Sequence, residues 1–178
     1  EFRRVLFRSG VPTATVVAYG LERSFGSFVR GAFVTEEVPQ TRDLAKTVRE
    51  HPEYLKNKPW FETVSKQVAD MTRTLHDAGF AHNDLKWRNL LVDEGLPPRV
   101  YMIDCPFGNH WWHIFLQYRI VKDLASLDRE AKNYLSRSQR LRFYLAYARI
   151  GRLNAGCKRQ IRRIARFYDS QRLRHRFR

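Results

Sequence analysis

Three side chains that carry oxygen ligands stand at a spacing that suits phosphoryl transfer. Asp84 is followed five residues later by Asn89, and Asp104 comes directly after a short apolar run. Transfer to a hydroxyl needs a carboxylate that orients and deprotonates that hydroxyl. It also needs hard oxygen ligands, because Mg²⁺ binds in near-octahedral geometry beside nucleotide phosphates. These three residues supply both if the chain brings them together.

The pattern of a kinase catalytic loop is present in residues 82–89, which read HNDLKWRN. It predicts Asp84 as the base and Asn89 and Asp104 as ligands of Mg²⁺. Lys86 would be a cation near the transferring phosphate, where negative charge develops. An isolated aspartate is more often a cap or a turn residue. Here the whole set occurs in its expected context, which favours the catalytic interpretation.

The elements that must position these residues are a helix before the loop and a hairpin after it. Apolar residues recur at steps of three and four from Trp60 to Leu75, which predicts an amphipathic helix that ends at Gly79. Two apolar runs, 90–92 and 100–103, are separated by a segment rich in Gly and Pro. They predict a small hairpin.

Strands are predicted before this helix, and helices after the hairpin. Residues 13–19 and 27–35 predict two antiparallel strands joined by a seven-residue loop, and residues 43–49 predict a short helix. All seven prolines lie at or before Pro106, so the stretch after Gly108 should be mostly helical. Two apolar stripes are expected there: Leu141, Tyr144, Leu145 and Ala148, then Ile161, Ile164, Ala165 and Tyr168.

Residues 1–9 fit none of the patterns that follow them. They resemble a translated cloning adaptor, which would make the chain a fragment of a longer protein. An ordinary N-terminal strand is the alternative interpretation, and both stay open.

Positive charge is concentrated at the end of the chain. The formal net charge is +15, and residues 137–178 contain 14 Lys or Arg and a single acid, Asp169. A length of 178 residues predicts one domain, and 43% hydrophobic content excludes general disorder. No run approaches the roughly 18 apolar residues of a membrane span. We therefore expect a soluble, unexported protein whose basic end has an anionic partner.

Together, these features resemble the bacterial lipopolysaccharide core kinases, the heptose and Kdo kinase family with its InaA-like and WaaP-like members. The resemblance extends from about residue 11 to about residue 176. Beyond the catalytic string, it rests on TEEV at 35–38, KDLASL at 122–127, and RLRFY at 140–144 with Tyr147.

The resemblance implies an α+β, protein-kinase-like fold. Residues 39–178 would form the helical C-terminal lobe, with the catalytic loop and the basic helices. Residues 10–38 would be a remnant of the antiparallel N-lobe sheet and the hinge between lobes.

The resemblance also implies ATP and Mg²⁺ as cofactors. Backbone groups of Glu36, Glu37 and Val38 would bind adenine, and Leu91 would lie under the base.

Two further residues would support the loop. Asp123 corresponds to the buried aspartate that braces the catalytic loop backbone, with a solvated acid on a helix as the alternative. His82 is expected to pack and hydrogen-bond within the loop instead of donating to substrate.

Departures from protein kinases limit the expected activity. The Asp-Phe-Gly motif is replaced by DCPFG at 104–108, and no Ala-Pro-Glu motif precedes Asp123, which disfavours a protein substrate. The glycine-rich loop and the strand lysine that hold nucleotide phosphates are not found and are expected upstream of residue 10. We expect the isolated chain to be inactive for that reason.

The implied activity is ATP-dependent phosphorylation of a heptose or Kdo hydroxyl in the lipopolysaccharide inner core. A kinase of another small hydroxyl compound, such as an aminoglycoside, is one alternative. A catalytically inactive basic module that binds membrane or nucleic acid is another. The sequence does not determine which sugar or hydroxyl is modified, or the oligomeric state.

The basic helix is predicted to turn its arginines outward. Arg159, Arg162, Arg163 and Arg166 flank the second apolar stripe. Anionic lipid, a phosphorylated glycolipid or nucleic acid would each suit them, and a solvated helix face is the plain alternative. The resemblance favours an acidic glycolipid and a cytoplasmic location at the inner-membrane surface, without nucleic acid.

Other polar and aromatic residues give weaker indications. His110 and His113 with Cys105 and His82 would make a zinc site, but no pair has the usual ligand spacing, and nothing marks Cys105 as a nucleophile. The aromatic residues that follow Gly108 are expected in the core or in a substrate wall: Trp111, Trp112, Phe115 and Tyr118.

Overall fold

A computed structural model describes residues 10–105 and 107–176. Residues 1–9, to which the adaptor interpretation applies, lie outside this range. The architecture is α+β. Among the described residues there are three small antiparallel sheets, and the chain after their last strand is mostly helical.

The first sheet is the hairpin β1 (Val16–Ser24) and β2 (Ser27–Thr35). The antiparallel pairing is confirmed, with Gly20 opposite Ala32. The predicted seven-residue loop is wrong, because β1 continues to Ser24 and a two-residue turn follows. Phe25 and Gly26 both have positive φ, 49° and 79°, which is typical of the tight turns that match the twist of paired strands.

A second sheet contains three strands in the order β3 (Thr41–Asp43), β5 (Leu90–Asp93) and β6 (Val100–Met102). The β5–β6 hairpin is confirmed, whereas β3 was not predicted. Helix α1 (Leu44–Glu50) follows β3 directly, with Asp43 as its N-cap. A 3-10 turn, Pro52–Leu55, then leads to the main helix.

Helix α2 (Lys58–Asp77) lies where the apolar stripe predicted it. The Asn57 side chain caps its first turn, and Gly79 just beyond its end has a φ of 73°, a left-handed conformation that suits glycine. Gln67 of α2 donates to the Pro98 carbonyl at 2.7 Å and accepts from the Val100 amide at 3.0 Å. The helix therefore holds the β5–β6 hairpin beside it.

The third sheet was missed by sequence analysis. It pairs β4 (Phe80–Ala81) with β7 (Asn109–His110). Each strand has only two residues, too few to give an alternating pattern. The pairing places the segment after Asp104 next to the strand that enters the catalytic loop.

The chain after Gly108 is mostly helical, as predicted. It forms α3 (His113–Tyr134), α4 (Arg137–Ala148) and α5 (Ala155–Arg176). The expected stripe of α4 is partly wrong, because Tyr144 and Tyr147 are buried while Leu141 is exposed. In α5, Ile164 and Phe167 are buried against the body. The division of the chain at residues 38 and 39 stays a prediction.

Two apolar clusters hold the fold together. One joins α1, α2 and the three-stranded sheet, and includes Val48 and Leu75. The other joins α3, α4 and α5.

Replacing Leu75 with alanine should destabilise the protein by about 2–5 kcal/mol, because the side chain is 1% exposed and its removal leaves a cavity. Leu96→Ala is the matched control, since Leu96 is 95% exposed and should change stability by less than about 0.5 kcal/mol. Urea unfolding measures the free energy of unfolding of both variants. Equal effects would contradict the packing described here.

Candidate active site

The catalytic loop lies between β4 and the 3-10 turn Trp87–Asn89. Asp123 of α3 is fully buried beneath it. Its two carboxylate oxygens accept hydrogen bonds from the backbone N–H groups of His82 and Asn83, each at 2.8 Å. The alternative of a solvated acid on a helix is therefore wrong. Asp123 fixes the backbone immediately before Asp84.

Asp123 is itself held by a network that sequence analysis missed. His76 Nε2 of α2 donates to Asp123 Oδ2 at 3.3 Å, and Tyr147 OH of α4 donates to His76 Nδ1 at 2.8 Å. All three side chains are buried. His76 lies on the apolar face of α2, one residue after Leu75. Its partners are distant in the sequence, so the sequence does not distinguish it from any other core histidine.

Asp84 is surrounded by cations. Lys86 Nζ lies 2.5 Å from Asp84 Oδ1, and Arg88 Nη2 lies 3.6 Å from Asp84 Oδ2. Burial raises the pKa of the Asp84 carboxyl. The hydrogen bond and charge of Lys86, with contributions from Asn89 and Arg88, outweigh burial, so that the pKa is below its usual range. Asp84 is therefore ionised at neutral pH, as an acceptor for a substrate proton must be.

Asn89 joins the two aspartates. Its amide Nδ2 donates to the Asp84 carbonyl at 2.8 Å and lies 3.4 Å from Asp84 Oδ2 and 3.5 Å from the Asp104 carbonyl. Asp104 has a φ of 54° and an exposed side chain. Asn89, directly before β5, thus lies close to Asp84 and to the backbone of Asp104, which follows β6.

The donor set fits Mg²⁺. Since Asn89 Nδ2 donates to Asp84, Asn89 Oδ1 is the atom left to serve as a ligand, and the Asp104 carboxylate is a second hard oxygen donor. Mg²⁺ usually takes one or two protein carboxylates and completes its shell with phosphates and water. The described residues contain no group of three or more His, Cys, Asp or Glu arranged around a common metal position.

The proposed hinge, residues 36–38, comes shortly before β3, the strand that pairs with β5 and so lies beside Leu91. The Glu36 N–H donates to the Thr15 carbonyl at 2.7 Å, and the Val38 carbonyl accepts from Thr41 Oγ1 at 2.7 Å. Adenine would therefore have to use the remaining backbone groups of this segment, including those of Glu37. Leu91 is half-buried in β5, opposite Asp43 of β3.

His82 and Cys105 are structural residues. His82 is fully buried, and its Nε2 donates to the Ile103 carbonyl at 3.2 Å. Burial lowers the His82 pKa, so the ring is neutral. Burial also raises the pKa of the Cys105 thiol, whose Sγ donates to the His82 carbonyl at 3.3 Å. Cys105 is therefore a thiol and not a nucleophile.

The residues considered for a zinc site do not share one environment, since His110 and His113 are exposed while His82 and Cys105 are buried. The core alternative for the aromatic residues after Gly108 is wrong: Trp111 is half-buried, and Trp112, Phe115 and Tyr118 are exposed. Their place in a substrate wall stays a prediction.

The basic residues of α5 face outward as predicted. Arg159, Arg162, Arg163 and Arg166 are all exposed, and none lies within 4 Å of a carboxylate in the part of the chain the structure describes. Among the described helices, none is apolar over a length that would cross a bilayer.

A cavity of about 540 Å³ lies between α2, α3, α4 and α5. Its wall is mostly apolar and includes Trp60, Val68 and Leu127. Four basic side chains also line it: Arg137, Arg140, Lys158 and Arg162. Arg140 is paired with Asp128 at 2.6 Å.

A catalytic loop braced from below by a buried aspartate, with a paired asparagine and a following aspartate, defines a protein-kinase-like fold. The chain belongs to the lipopolysaccharide kinase (Kdo/WaaP) family, whose model matches residues 2–147. The family resemblance and the fold class inferred from sequence are confirmed.

Two relatives are similar to this chain. A 3-deoxy-D-manno-octulosonic acid kinase of Actinobacillus succinogenes is 32% identical over 97 residues, which are 53% of this chain and 37% of that protein. A solved structure described as WaaP in complex with acyl carrier protein aligns with a TM-score of 0.75 at 27% identity, covering 93% of this chain and 73% of that chain. The chain thus spans little more than a third of the curated relative.

Replacing Lys86 with methionine should raise the pKa of Asp84, because the hydrogen bond and positive charge that lower it are lost while its burial remains. Loss of ionisation would then begin at a higher pH than in the unaltered protein. Carboxyl carbon NMR titration of Asp84 measures this directly.

Lys66→Met is the matched control, since Lys66 pairs with Asp70 on the exposed face of α2. It should leave the Asp84 titration unchanged. An unaltered Asp84 pKa in the Lys86 variant would show that the contact with Lys86 does not set the ionisation of Asp84.

Proposed function

We propose that this protein is an ATP-dependent kinase that phosphorylates a sugar hydroxyl of the lipopolysaccharide inner core, heptose or Kdo. The observation that carries the proposal is the position of Asn89, whose side-chain amide lies 2.8 Å from the Asp84 carbonyl and 3.5 Å from the Asp104 carbonyl, next to a loop braced by Asp123. Membership of the lipopolysaccharide kinase family supports the acceptor class.

Each residue of the loop has a role in this proposal. Asp84 accepts the proton of the attacking hydroxyl, and its lowered pKa keeps it ionised until substrate arrives. Asn89 and Asp104 would hold Mg²⁺, which neutralises charge on the nucleotide phosphates. Lys86, which forms an ion pair with Asp84 in this structure, would turn to the transferring phosphate. Glu36, Glu37, Val38 and Leu91 would form the adenine site.

Asp84→Asn and Asp104→Asn should each reduce phosphotransfer by at least about 100-fold, because base and metal contributions are of that size or larger. The reduction is measured as the rate of phosphate transfer from labelled ATP to inner-core glycolipid. The assay uses the longest form of the protein that its gene encodes. Asp70→Asn is the control, since Asp70 lies on the solvated side of α2. Activity that survives in Asp84→Asn would refute the site, and the inactive basic module would then be the better interpretation.

We propose that α5 binds the anionic inner-membrane surface through Arg159, Arg162, Arg163 and Arg166. Four exposed arginines without carboxylate partners among the described residues, on a helix packed to the body by Ile164 and Phe167, suit such a surface. Each basic residue near anionic lipid adds about 1 kcal/mol.

The double variant Arg162→Glu, Arg163→Glu should weaken binding to vesicles containing phosphatidylglycerol by at least about 10-fold at 50 mM salt, with a smaller difference at 500 mM as screening increases. Vesicle sedimentation measures it. Arg49→Glu, an exposed change at the end of α1, is the control. Equal binding by the double variant would favour a solvated helix face.

We also propose that the cavity between the helices receives a fatty acyl chain delivered by an acyl carrier protein. The apolar wall would bury the chain, and the basic side chains of Arg137 and Lys158 would contact its anionic carrier. The complex named for the structural relative points to this class of partner.

Ser65 lines this cavity and is half-buried. Ser65→Trp should fill part of the space and abolish the rise in thermal stability that acylated carrier protein produces, whereas Ser65→Ala should retain it. Differential scanning fluorimetry with acylated and unacylated carrier protein measures this. A stability rise that does not depend on the acyl chain would refute the proposal.

A further inference from the structure

Large apolar side chains lie exposed where α3 begins. Trp112 and Phe115 are 79% and 65% exposed, and Ile114 and Tyr118 are exposed as well. We call these four residues the α3 patch. Single exposed apolar residues are ordinary, but a contiguous group of them marks a surface that binds an apolar partner.

Helix geometry makes the α3 patch contiguous. Trp112 is the N-cap residue of α3, and its carbonyl accepts from the Phe115 N–H at 3.1 Å. Residues three or four apart are neighbours on a helix surface, so Phe115 adjoins Trp112 and Tyr118, and Ile114 also adjoins Tyr118. The first two turns of α3 therefore present one apolar surface.

The charged residues next to the α3 patch are all basic. No Asp or Glu occurs between Asp104 and Asp123, whereas Arg119 follows Tyr118 directly and Lys122 comes one turn later. The central carbon of the Arg119 guanidinium lies 5.7 Å from the centroid of the Tyr118 ring, within the range of a cation–π contact. Aromatic side chains combined with Arg and Lys, without acids, are typical of surfaces that lie in a bilayer interface.

The α3 patch also adjoins the basic helix α5. The ring centroids of Tyr118 and Phe167 lie 5.6 Å apart. On α5, the exposed Arg163 lies one turn before Phe167, and the exposed Arg166 directly precedes it. The apolar surface is therefore continuous with the arginines of α5. One bilayer would satisfy both, with lipid phosphates at the arginines and the acyl boundary at the α3 patch.

Short backbone contacts connect the α3 patch to the catalytic loop. The Trp111 N–H donates to the Gly79 carbonyl at 2.8 Å, and β7, which ends just before Trp111, pairs with β4 at the entrance to the loop. The Phe107 carbonyl accepts from Asn83 Nδ2 at 2.7 Å. A surface that binds the α3 patch therefore also sets the position of the loop.

We propose that the α3 patch inserts into the interface of a phospholipid bilayer, with Trp112 and Phe115 as the main inserted side chains. This inference rests on the proposed membrane contact of α5, to which it adds an apolar part that salt does not screen. The insertion keeps the catalytic loop near the lipid surface, where a lipid-linked acceptor lies.

The test variant combines Trp112→Ser with Phe115→Gln, in the longest encoded form of the protein. Serine is a favoured N-cap residue and glutamine a good helix former, so α3 should form as before. Binding to vesicles of phosphatidylglycerol and phosphatidylcholine should fall by at least about 10-fold at about 500 mM salt, because the arginine contribution is screened there and apolar burial is not. Vesicle sedimentation measures the fall. Equal binding by the variant and the unaltered protein at this salt would overturn the inference.

Phe25→Asn is the matched control. Phe25 is also fully exposed, but it lies in the β1–β2 turn, where asparagine tolerates the positive φ. It should bind vesicles as the unaltered protein does. A loss equal to that of the double variant would show a general effect of exposed aromatic residues, which would overturn the inference.

Salt separates failure of this inference from failure of the α5 proposal. Arg162→Glu with Arg163→Glu should weaken binding mainly at low salt, and the α3 patch variant should weaken it at low and high salt. If only the arginine variant loses binding, the α5 proposal stands and the inference is wrong.

Brominated lipid tests which side chain is inserted. Of the four tryptophans, Trp112 is exposed, Trp87 is buried, and Trp60 and Trp111 are half-buried. Vesicles with brominated acyl chains should quench the fluorescence of the unaltered protein. Trp112→Phe should still bind, since it keeps an aromatic ring, but should lose most of the quenching. Quenching that persists in Trp112→Phe would contradict insertion at this position.

Two other occupants of the α3 patch give different results. If the patch joined two copies of the chain, the double variant would lower the mass measured by light scattering without lipid. If the patch were a wall of the acceptor site, the double variant would lower kcat/KM on a water-soluble acceptor without acyl chains. Either result, with vesicle binding unchanged, would overturn the inference. We expect an unchanged mass and unchanged kinetics on the soluble acceptor.

Discussion

The geometry of the candidate site depends on one buried carboxylate. Asp123 has no exposed surface, and its carboxylate oxygens accept hydrogen bonds from two backbone N–H groups and a histidine ring. Burying a carboxylate is unfavourable unless its oxygens are hydrogen-bonded. The loop before Asp84 satisfies this requirement, so the loop and the helix beneath it stabilise each other. Packing of α3 and ordering of the loop before Asp84 consequently depend on each other.

This support reaches across most of the chain. The bonds of Asp123 to His82, of Asp123 to His76 and of His76 to Tyr147 span 41, 47 and 71 residues. Residues on α2, α3 and α4 thus meet under the loop. A second set of contacts lies on the other side of the loop, where the Asn83 side chain bonds to the Phe107 carbonyl and to Arg119. The loop is held from both sides, and its side chains that are not buried are those of Asp84, Lys86 and Arg88.

Local sequence patterns predicted most helices and strands, but they could not predict contacts between residues that are far apart in the sequence. Helix α2 and the β5–β6 hairpin have clear periodicity and turn residues, and the motif from His82 to Asn89 is specific. The strands β4 and β7 are too short to give a pattern, and their pairing joins residues about 30 positions apart. The partners of His76 and Arg119 depend on how helices pack, so no spacing along the chain reveals them.

The Tyr147 hydroxyl marks a boundary in the molecule. The match to the lipopolysaccharide kinase (Kdo/WaaP) family model ends at this residue, so Tyr147, His76 and Asp123 all lie inside the matched range. Helix α5 begins after it, at Ala155. Loss of α5 would therefore remove none of the hydrogen bonds that connect Tyr147, His76 and Asp123 to the catalytic loop.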